Sequence, residues 1–228
     1  MKAIVQRSTA IVTFVGLLGL ALSSPQRQHV ERFGDLLVVA PRRKTLAQLA
    51  ALELPGVDPS NLADFFRISP WDPDDLRLPL LEFVIGYLKG HNSDPACPIY
   101  LTLDDSLTQK DRGTRQLQSV DWHFDHNQQR AIKAGNHVVL RIHWGAFHFP
   151  LLWRPYLRAS TVRRLNRRRK HTKLCYRSKL ELARQMLQQV ISFLPKTNPV
   201  YVLFDSWYTS AKLVKWIRQQ GWHVIAAI

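Results

Sequence analysis

Acid is scarce in this chain. Against 32 Lys and Arg stand only 17 Asp and Glu, giving a formal net charge of +15. Beyond Asp125 only Glu181 and Asp205 carry carboxylates, and none follows Asp205. An excess of one sign says nothing about fold. It does make a polyanion the leading class of partner, with a merely basic protein as the plain alternative. Cysteine is nearly absent as well. Cys97 and Cys175 lie far apart and form no CxxC pair, which excludes a disulfide framework and a zinc-ribbon spacing and suits a reducing, cytoplasmic compartment. Internal repeats are missing. The apolar run from Ala10 to Leu22 falls short of the roughly 20 residues that span a bilayer, so no membrane partner is expected.

That run follows Lys2 and Arg7, and Ala21-Leu22-Ser23 has the form of a signal-peptidase site. Residues 1–23 therefore read either as a secretory signal or as a core-facing helix of a small N-terminal bundle. The strongly basic remainder favours the second.

The pattern divides the 228 residues into a helical region, residues 1–90, and a mixed α/β region, residues 99–228. Thr45 caps a segment with Leu46, Leu49 and Leu52 at helical spacing. After Pro55-Gly56, Ser60 opens another with Leu62, Phe65 and Phe66. Such a pair is compatible with a helix-turn-helix, although helix pairs packed for stability are commoner. A third helix runs from about Asp75 to Leu88, and His91 to Pro98 reads as a linker. Strands are expected at Ile99–Leu103, Val120–His126 and His137–His143, with Ala146–Leu152 as a hairpin or bent continuation of the last. Ser178 and Glu181 form a capping box for a helix with Leu187 and Val190 on its apolar face, stopped by Pro195. Val200–Phe204 is a buried strand, Ser210–Gln220 an amphipathic helix, and Val224–Ile228 the start of another strand. Three strands that can meander, then helix, strand, helix and strand, make a mixed sheet of the RNase H-like kind. Other mixed α/β folds share that order.

Carboxylates stand where two apolar strands end. IYLTLDDS runs into Asp104 and Asp105, and VYVLFDSWY runs into Asp205. A charge at the edge of a buried strand is costly unless paired or metal-bound, and ligands gather at the carboxyl ends of strands in open sheets. If these strands are neighbours, the acids converge, and clustered carboxylate oxygen favours Mg²⁺ or Mn²⁺. The plain reading of each acid alone is that Asp104 starts a turn and Asp205 caps the following helix. Together, within so basic a chain, they point to metal-assisted phosphoryl transfer.

LTLDDSLTQKDRG resembles the first catalytic block of insertion-sequence transposases of the DDE class, and VYVLFDSWYTSAKLVKWIRQQGWHVIAAI resembles the second. WHFDHNQQR with GNHVVLRIHW is similar to that family's second and third strands, and SKLELARQMLQQV to its crossover helix. RRKTLAQLAAL and LADFFRISPWDPDDL are similar to its N-terminal helical region. The resemblance covers roughly residues 28–228. It implies an RNase H-like domain, with Asp105 as the first metal-binding acid, Asp205 as the second, and Asp104 as a neighbour or the true ligand. It also implies metal-dependent strand cleavage and strand transfer at transposon ends. The family's third acid, a Glu, would lie beyond the second Asp, and no carboxylate follows Asp205. The expectation is therefore a truncated product, or a portion of a longer protein, that does not cleave efficiently alone.

Residues 154–179 hold eleven Lys or Arg and no acid. Arg163, Arg164, Arg167, Arg168, Arg169, Lys170 and Lys173 are the candidate contacts to the DNA backbone, against the alternative of a solvated loop. A homodimer in the DNA complex is compatible with this. The paired histidines, His123 with His126 and His143 with His148, lack completing ligands and read as packing or surface residues. Trp207, beside Asp205, is placed to stack on a base but reads first as a core or interface residue. Two rivals to the transposase reading stay open: a non-catalytic DNA-binding protein derived from a transposase fragment, and a secreted basic α/β protein.

Overall fold

The computed structural model describes residues 7–41, 45–52, 58, 60–70, 72–114 and 117–226. Two compact units divide inside a helix, at Phe83 and Val84.

The first unit is helical. Helix α1, Thr9–Leu17, is closed by Gly19 in a left-handed turn. Its first turn is tied by Asp35, whose carboxylate accepts from the Ser8 backbone at 3.2 Å. Asp35 belongs to α2, Ser24–Val39, which opens with Pro25 in its first turn and the Gln26 side chain accepting from Ser23 N. The apolar run singled out above is spent on packing, since Val15, Leu20 and Leu22 are buried against Ile11, Phe14, Val30 and Leu76. A second cluster joins Leu36 and Ala40 of α2 to Leu49 of α3 (Leu46–Ala50) and Leu62 of α4 (Ser60–Ile68). Thr45 caps α3 as expected, accepting from Gln48 N. The Pro55-Gly56 turn between α3 and α4 lies outside the described residues. Helix α5 runs from Pro73 to His91, longer at both ends than its apolar spacing suggests. No helix among the described residues is long and apolar enough to cross a membrane.

The second unit is built on a six-stranded mixed sheet. Its strands are β1 (Ile99–Gln109), β2 (Val120–Asp125), β3 (Arg130–Trp144), β4 (Phe147–Tyr156), β5 (Val200–Phe204) and β6 (His223–Ala226). The order is β2-β3-β1-β5-β6, with β4 also on β3. β1 and β3 pair antiparallel from Ile99↔Trp144 to Gln109↔Ala134. On its other edge β3 takes β2 over residues 130–135 and β4 over 136–144. The expected meander therefore needs amendment: β2 pairs with β3, not with β1. Two parallel pairs, β1 with β5 and β5 with β6, complete the RNase H-like arrangement.

Helices cover the sheet. After α6, Ala159–Arg168, comes α7, Lys179–Ile191, whose capping box is present as expected, with Ser178 Oγ accepting from Glu181 N at 3.2 Å and Glu181 accepting from Ser178 N at 2.7 Å. Leu182, Ala183, Met186, Leu187 and Val190 are buried where α7 packs across β3 and β4. They meet the alternate inward residues of β3, among them Val138, Leu140 and Ile142, none of which is solvent-exposed. Each such large side chain contributes about 1.5–3 kcal/mol on burial. Helix α8, Ala211–Gln219, packs against β6, and its capping Ser210 accepts from Leu213 N.

The β3–β4 hairpin turns at Gly145, with φ +59°. A Cβ there would collide with Asn92 Oδ1, so this position needs glycine twice over, for its backbone and for its neighbour. Gly221, at φ +78°, has open space around it. We therefore expect Gly221→Ala to lower stability by about 1 kcal/mol and Gly145→Ala by about 2 kcal/mol or more, read from urea unfolding midpoints. Equal costs would show that Asn92 yields freely.

Candidate functional site at the end of the parallel strand pair

β1 and β5 lie side by side and parallel, in register from Ile99↔Val200 to Leu103↔Phe204. The next residue of β1 is Asp104, and the next after β5 is Asp205. Both segments thus deliver acid to one end of the sheet, as their apolar runs suggest. The strand nevertheless differs from its expected form. LDDS does not turn, because β1 continues through both acids to Gln109, held by β3 through Asp104↔Val139 and Asp105↔Val138.

Strand alternation separates the two adjacent acids. Asp105 follows Leu101 and Leu103 onto the face that α7 covers, while Asp104 falls on the other face and is exposed. Asp104 Oδ1 accepts from the backbone N–H of Asp105 at 2.7 Å. Asp205 caps the short 3-10 turn Ser206–Tyr208, its Oδ1 accepting from Trp207 N at 3.0 Å. The plain reading of Asp205 as a cap is thus realised, and it leaves Oδ2 uncommitted in any hydrogen bond described.

Asp105 and Asp205 are both half-buried, and Asp105 is held by side chains from distant segments. Its Oδ2 accepts from Lys179 Nζ at 2.7 Å and from Asn136 Nδ2 at 3.3 Å. Lys179 is the first residue of α7, so the capping box that starts the helix sets the backbone position from which the lysine reaches Asp105. Its Nζ lies 5.6 Å from the centre of the Tyr156 ring. Asn136 is 3% exposed and its Oδ1 is buried without a hydrogen-bond partner. Tyr208 is 1% exposed, and its hydroxyl is buried and unpartnered too. Burial pushes the Tyr208 phenol well above its ordinary range, and the carboxylates of Asp105, Asp104 and Asp205 push it further. One hydroxyl therefore lies within the fields of all three acids. Tyr156 is pushed up to about 12, chiefly by burial and then by its hydrogen bond with Tyr176.

Around this centre the inward face is polar. His123 is held below its ordinary value by burial first, with Arg158 and Lys179 adding to the effect and Asp121 and Asp105 opposing it. Its Nε2 is buried without a partner. Burial alone would raise Asp121, yet the Thr161 hydroxyl and the Trp122 amide hold its carboxyl below the usual range. The Thr161–Asp121 hydrogen bond ties α6 to β2.

Among the described residues no three His, Cys, Asp or Glu side chains stand together as a ready metal-holding group. The donor chemistry does suit a hard divalent cation. Carboxylate oxygen is the preferred ligand of Mg²⁺ and Mn²⁺, and the orphaned amide oxygen of Asn136 is a neutral donor of the same kind beside Asp105.

The basic run is more ordered than a solvated loop. Its middle part, Ala159–Arg168, forms α6, which buries Thr161 and Val162 and leaves Arg163, Arg164, Arg167 and Arg168 exposed. Asn166 pins the return segment, donating to Leu174 O at 2.9 Å and accepting from Leu174 N at 2.8 Å. Lys170 is exposed, Arg169 donates to Gln118 at 3.0 Å, and Lys173 donates to the carbonyls of Asn166 and Arg169. Trp207 is 72% exposed and lies 6.0 Å from the His126 ring, so of its two plain readings, core or interface, the core one is excluded. Asn136, Tyr156, Lys179 and Tyr208 are the site residues that sequence reasoning misses. The clue to Asn136 is a polar side chain at an inward position of an apolar strand.

A family model described as DDE superfamily endonuclease matches residues 21–228. The chain is similar to the probable transposase for insertion sequence element IS701 of Microchaete diplosiphon, 30% identical over 188 residues. That match covers 79% of this chain and 41% of the relative, so the chain spans less than half of its length. Among solved structures it is similar to the piggyBac transposase synaptic complex with hairpin DNA, with a TM-score of 0.40, 12% identity, and coverage of 96% of this chain and 48% of that one. The pre-cleavage Mos1 transpososome gives a TM-score of 0.20 at 14% identity, covering 84% of this chain and 58% of that one.

The His123 environment has a consequence for acid stability. Folded His123 refuses a proton that the unfolded chain accepts below the ordinary histidine value of 6.5. Its contribution is present above that value and is lost as pH falls through it. We expect the urea midpoint to drop between roughly pH 7.5 and 5.5, and to drop less in His123→Gln. Parallel losses in both proteins would place the acid sensitivity elsewhere.

Proposed function

The chain belongs to the DDE superfamily endonucleases, and from that premise we propose that it carries part of the catalytic domain of an insertion-sequence transposase, acting on DNA. The observation that supports this reading best is the parallel register of β1 and β5, which brings Asp104, Asp105 and Asp205 to the end of one strand pair.

In this reading Asp105 and Asp205 hold the divalent cation, Mg²⁺ or Mn²⁺, with Asp104 beside them. A cation bound there neutralises charge at the phosphodiester and makes water a stronger nucleophile. The remaining work falls to the chain's own groups. Asn136 orients the Asp105 carboxylate by donating to Oδ2, and the Trp207 amide fixes one oxygen of Asp205. Tyr208, whose phenol stays protonated, keeps a buried hydroxyl whose titration the three carboxylates influence.

α6 supplies the polyanion contact. Arg163, Arg164, Arg167 and Arg168 project from a helix whose inner side is anchored by Thr161, so they present an array of exposed guanidinium groups. With Lys170, Arg169 and Lys173 nearby, they suit phosphate rather than base edges, and hence binding without sequence readout. A non-catalytic DNA-binding role is the second reading, favoured by the ion pair that engages Asp105.

Two experiments test the proposal. If the basic array meets six or more phosphates, affinity for duplex DNA falls by roughly 10³-fold or more between about 50 and 200 mM salt. Replacing Arg163, Arg164, Arg167 and Arg168 with Ala should flatten that slope, and an unchanged slope removes α6 from the interface. For chemistry, the chain is compared in a Mg²⁺- or Mn²⁺-dependent nicking assay with a version extended by the C-terminal segment of a related transposase. Cleavage in the extended version, lost in Asp105→Asn and Asp205→Asn, is the expected result. DNA binding without cleavage in either version would leave the non-catalytic reading.

A further inference from the structure

The Asp105 carboxylate already has a cation. Lys179 Nζ lies 2.7 Å from Oδ2, with the lysine side chain 31% and the aspartate side chain 20% exposed. Asn136 donates to that same oxygen. Two donors on one oxygen, half shielded from water, make a strong charge-assisted contact.

We propose that Lys179 competes with the divalent cation for Asp105, so that this lysine sets the metal affinity of the site. This rests on the reading of Asp105 as a cation ligand. Three features carry it beyond the bare ion pair. The ammonium is a compact point charge on a flexible stem, able to leave without disturbing α7, whose start is fixed independently by Ser178 and Glu181. It has a second seat close by, since the electron-rich face of Tyr156 lies 5.6 Å from Nζ. A further donor stands on a neighbouring side chain, because Asn136, whose Nδ2 donates to Asp105, carries a buried Oδ1 with no partner, an oxygen of the kind a hard cation takes. Lysine withdrawal would also expose a positive charge beside the strand end, where the phosphate of a bound strand would come.

The test is Mn²⁺ binding by isothermal titration calorimetry at constant pH. It uses the wild-type chain, Lys179→Met, Lys179→Arg and Asp105→Asn, each checked for folding by circular dichroism. Removing a charge-assisted competitor should tighten Mn²⁺ binding about tenfold or more in Lys179→Met. Lys179→Arg, which keeps the positive charge, should stay near wild type, and Asp105→Asn should lose binding. Equal or weaker binding in Lys179→Met, with binding still lost in Asp105→Asn, would overturn the competition while leaving Asp105 as a ligand. Binding undiminished in Asp105→Asn would instead sink the assignment of Asp105 itself. A second measurement needs no variant: amine acylation of the wild-type chain, read by peptide mass spectrometry with and without saturating Mg²⁺. Labelling of Lys179 should rise several-fold over the other lysines when Mg²⁺ is added, and labelling that does not change would contradict the displacement.

Discussion

Fifteen residues of one strand hold the sheet of this protein together. β3 gives one edge to β1 and divides the other between β2 and β4, so three strands hang on a single backbone. The dependence is greatest where the acids stand. β5 ends opposite Leu103, and from Asp104 onward β1 is paired only with β3. Asp104 and Asp105 therefore belong to a strand held rigid on one side and open on the other. A carboxylate on a loop would be free to turn away, and one in a fully paired strand would be closed off from a ligand.

The same stretch obliges the chain to manage charge on both sides of a sheet. Alternation sends Asp104 to the exposed face, where a backbone amide and water suffice. It sends Asp105 under α7, where a carboxylate needs a partner brought from elsewhere in sequence. That partner is 74 residues away, at the first turn of the crossover helix. The ion pair therefore links two segments that the resemblance to transposases defines separately, the first acidic block and the crossover helix.

Much of this was legible in the sequence where its cause is local. The Ser178–Glu181 cap, the apolar runs into Asp104 and Asp205, and the α7 face each fit within a dozen residues. The true extents of β1 and β3 were not legible. Asp104 to Gln109 is polar because it lies beyond β5, and Arg130 to Gly135 mixes Lys133 with alanine and glycine, so neither reads as strand. Only pairing with each other makes them so. The meander was misassigned for the same reason, because the short distance from β1 to β2 suggests a neighbour, whereas β3 is the strand long enough to serve β1 throughout. Lys179 and Asn136 were hidden in another way. Each is ordinary in its own segment and becomes meaningful only when the sheet brings it to Asp105.

The guanidinium array on α6 has a cost to the helix that bears it. Arg163 and Arg167, and likewise Arg164 and Arg168, are four residues apart on adjacent turns, the spacing at which like charges repel. No acidic residue stands in its first turn, and Arg167 and Arg168 in the last turn are its only favourable match to the helix dipole. The helix is folded against its own field, held from beneath by Thr161 and Val162. A bound polyanion would cancel that repulsion, so association and helical order are thermodynamically linked: each phosphate that docks stiffens the surface that receives the next.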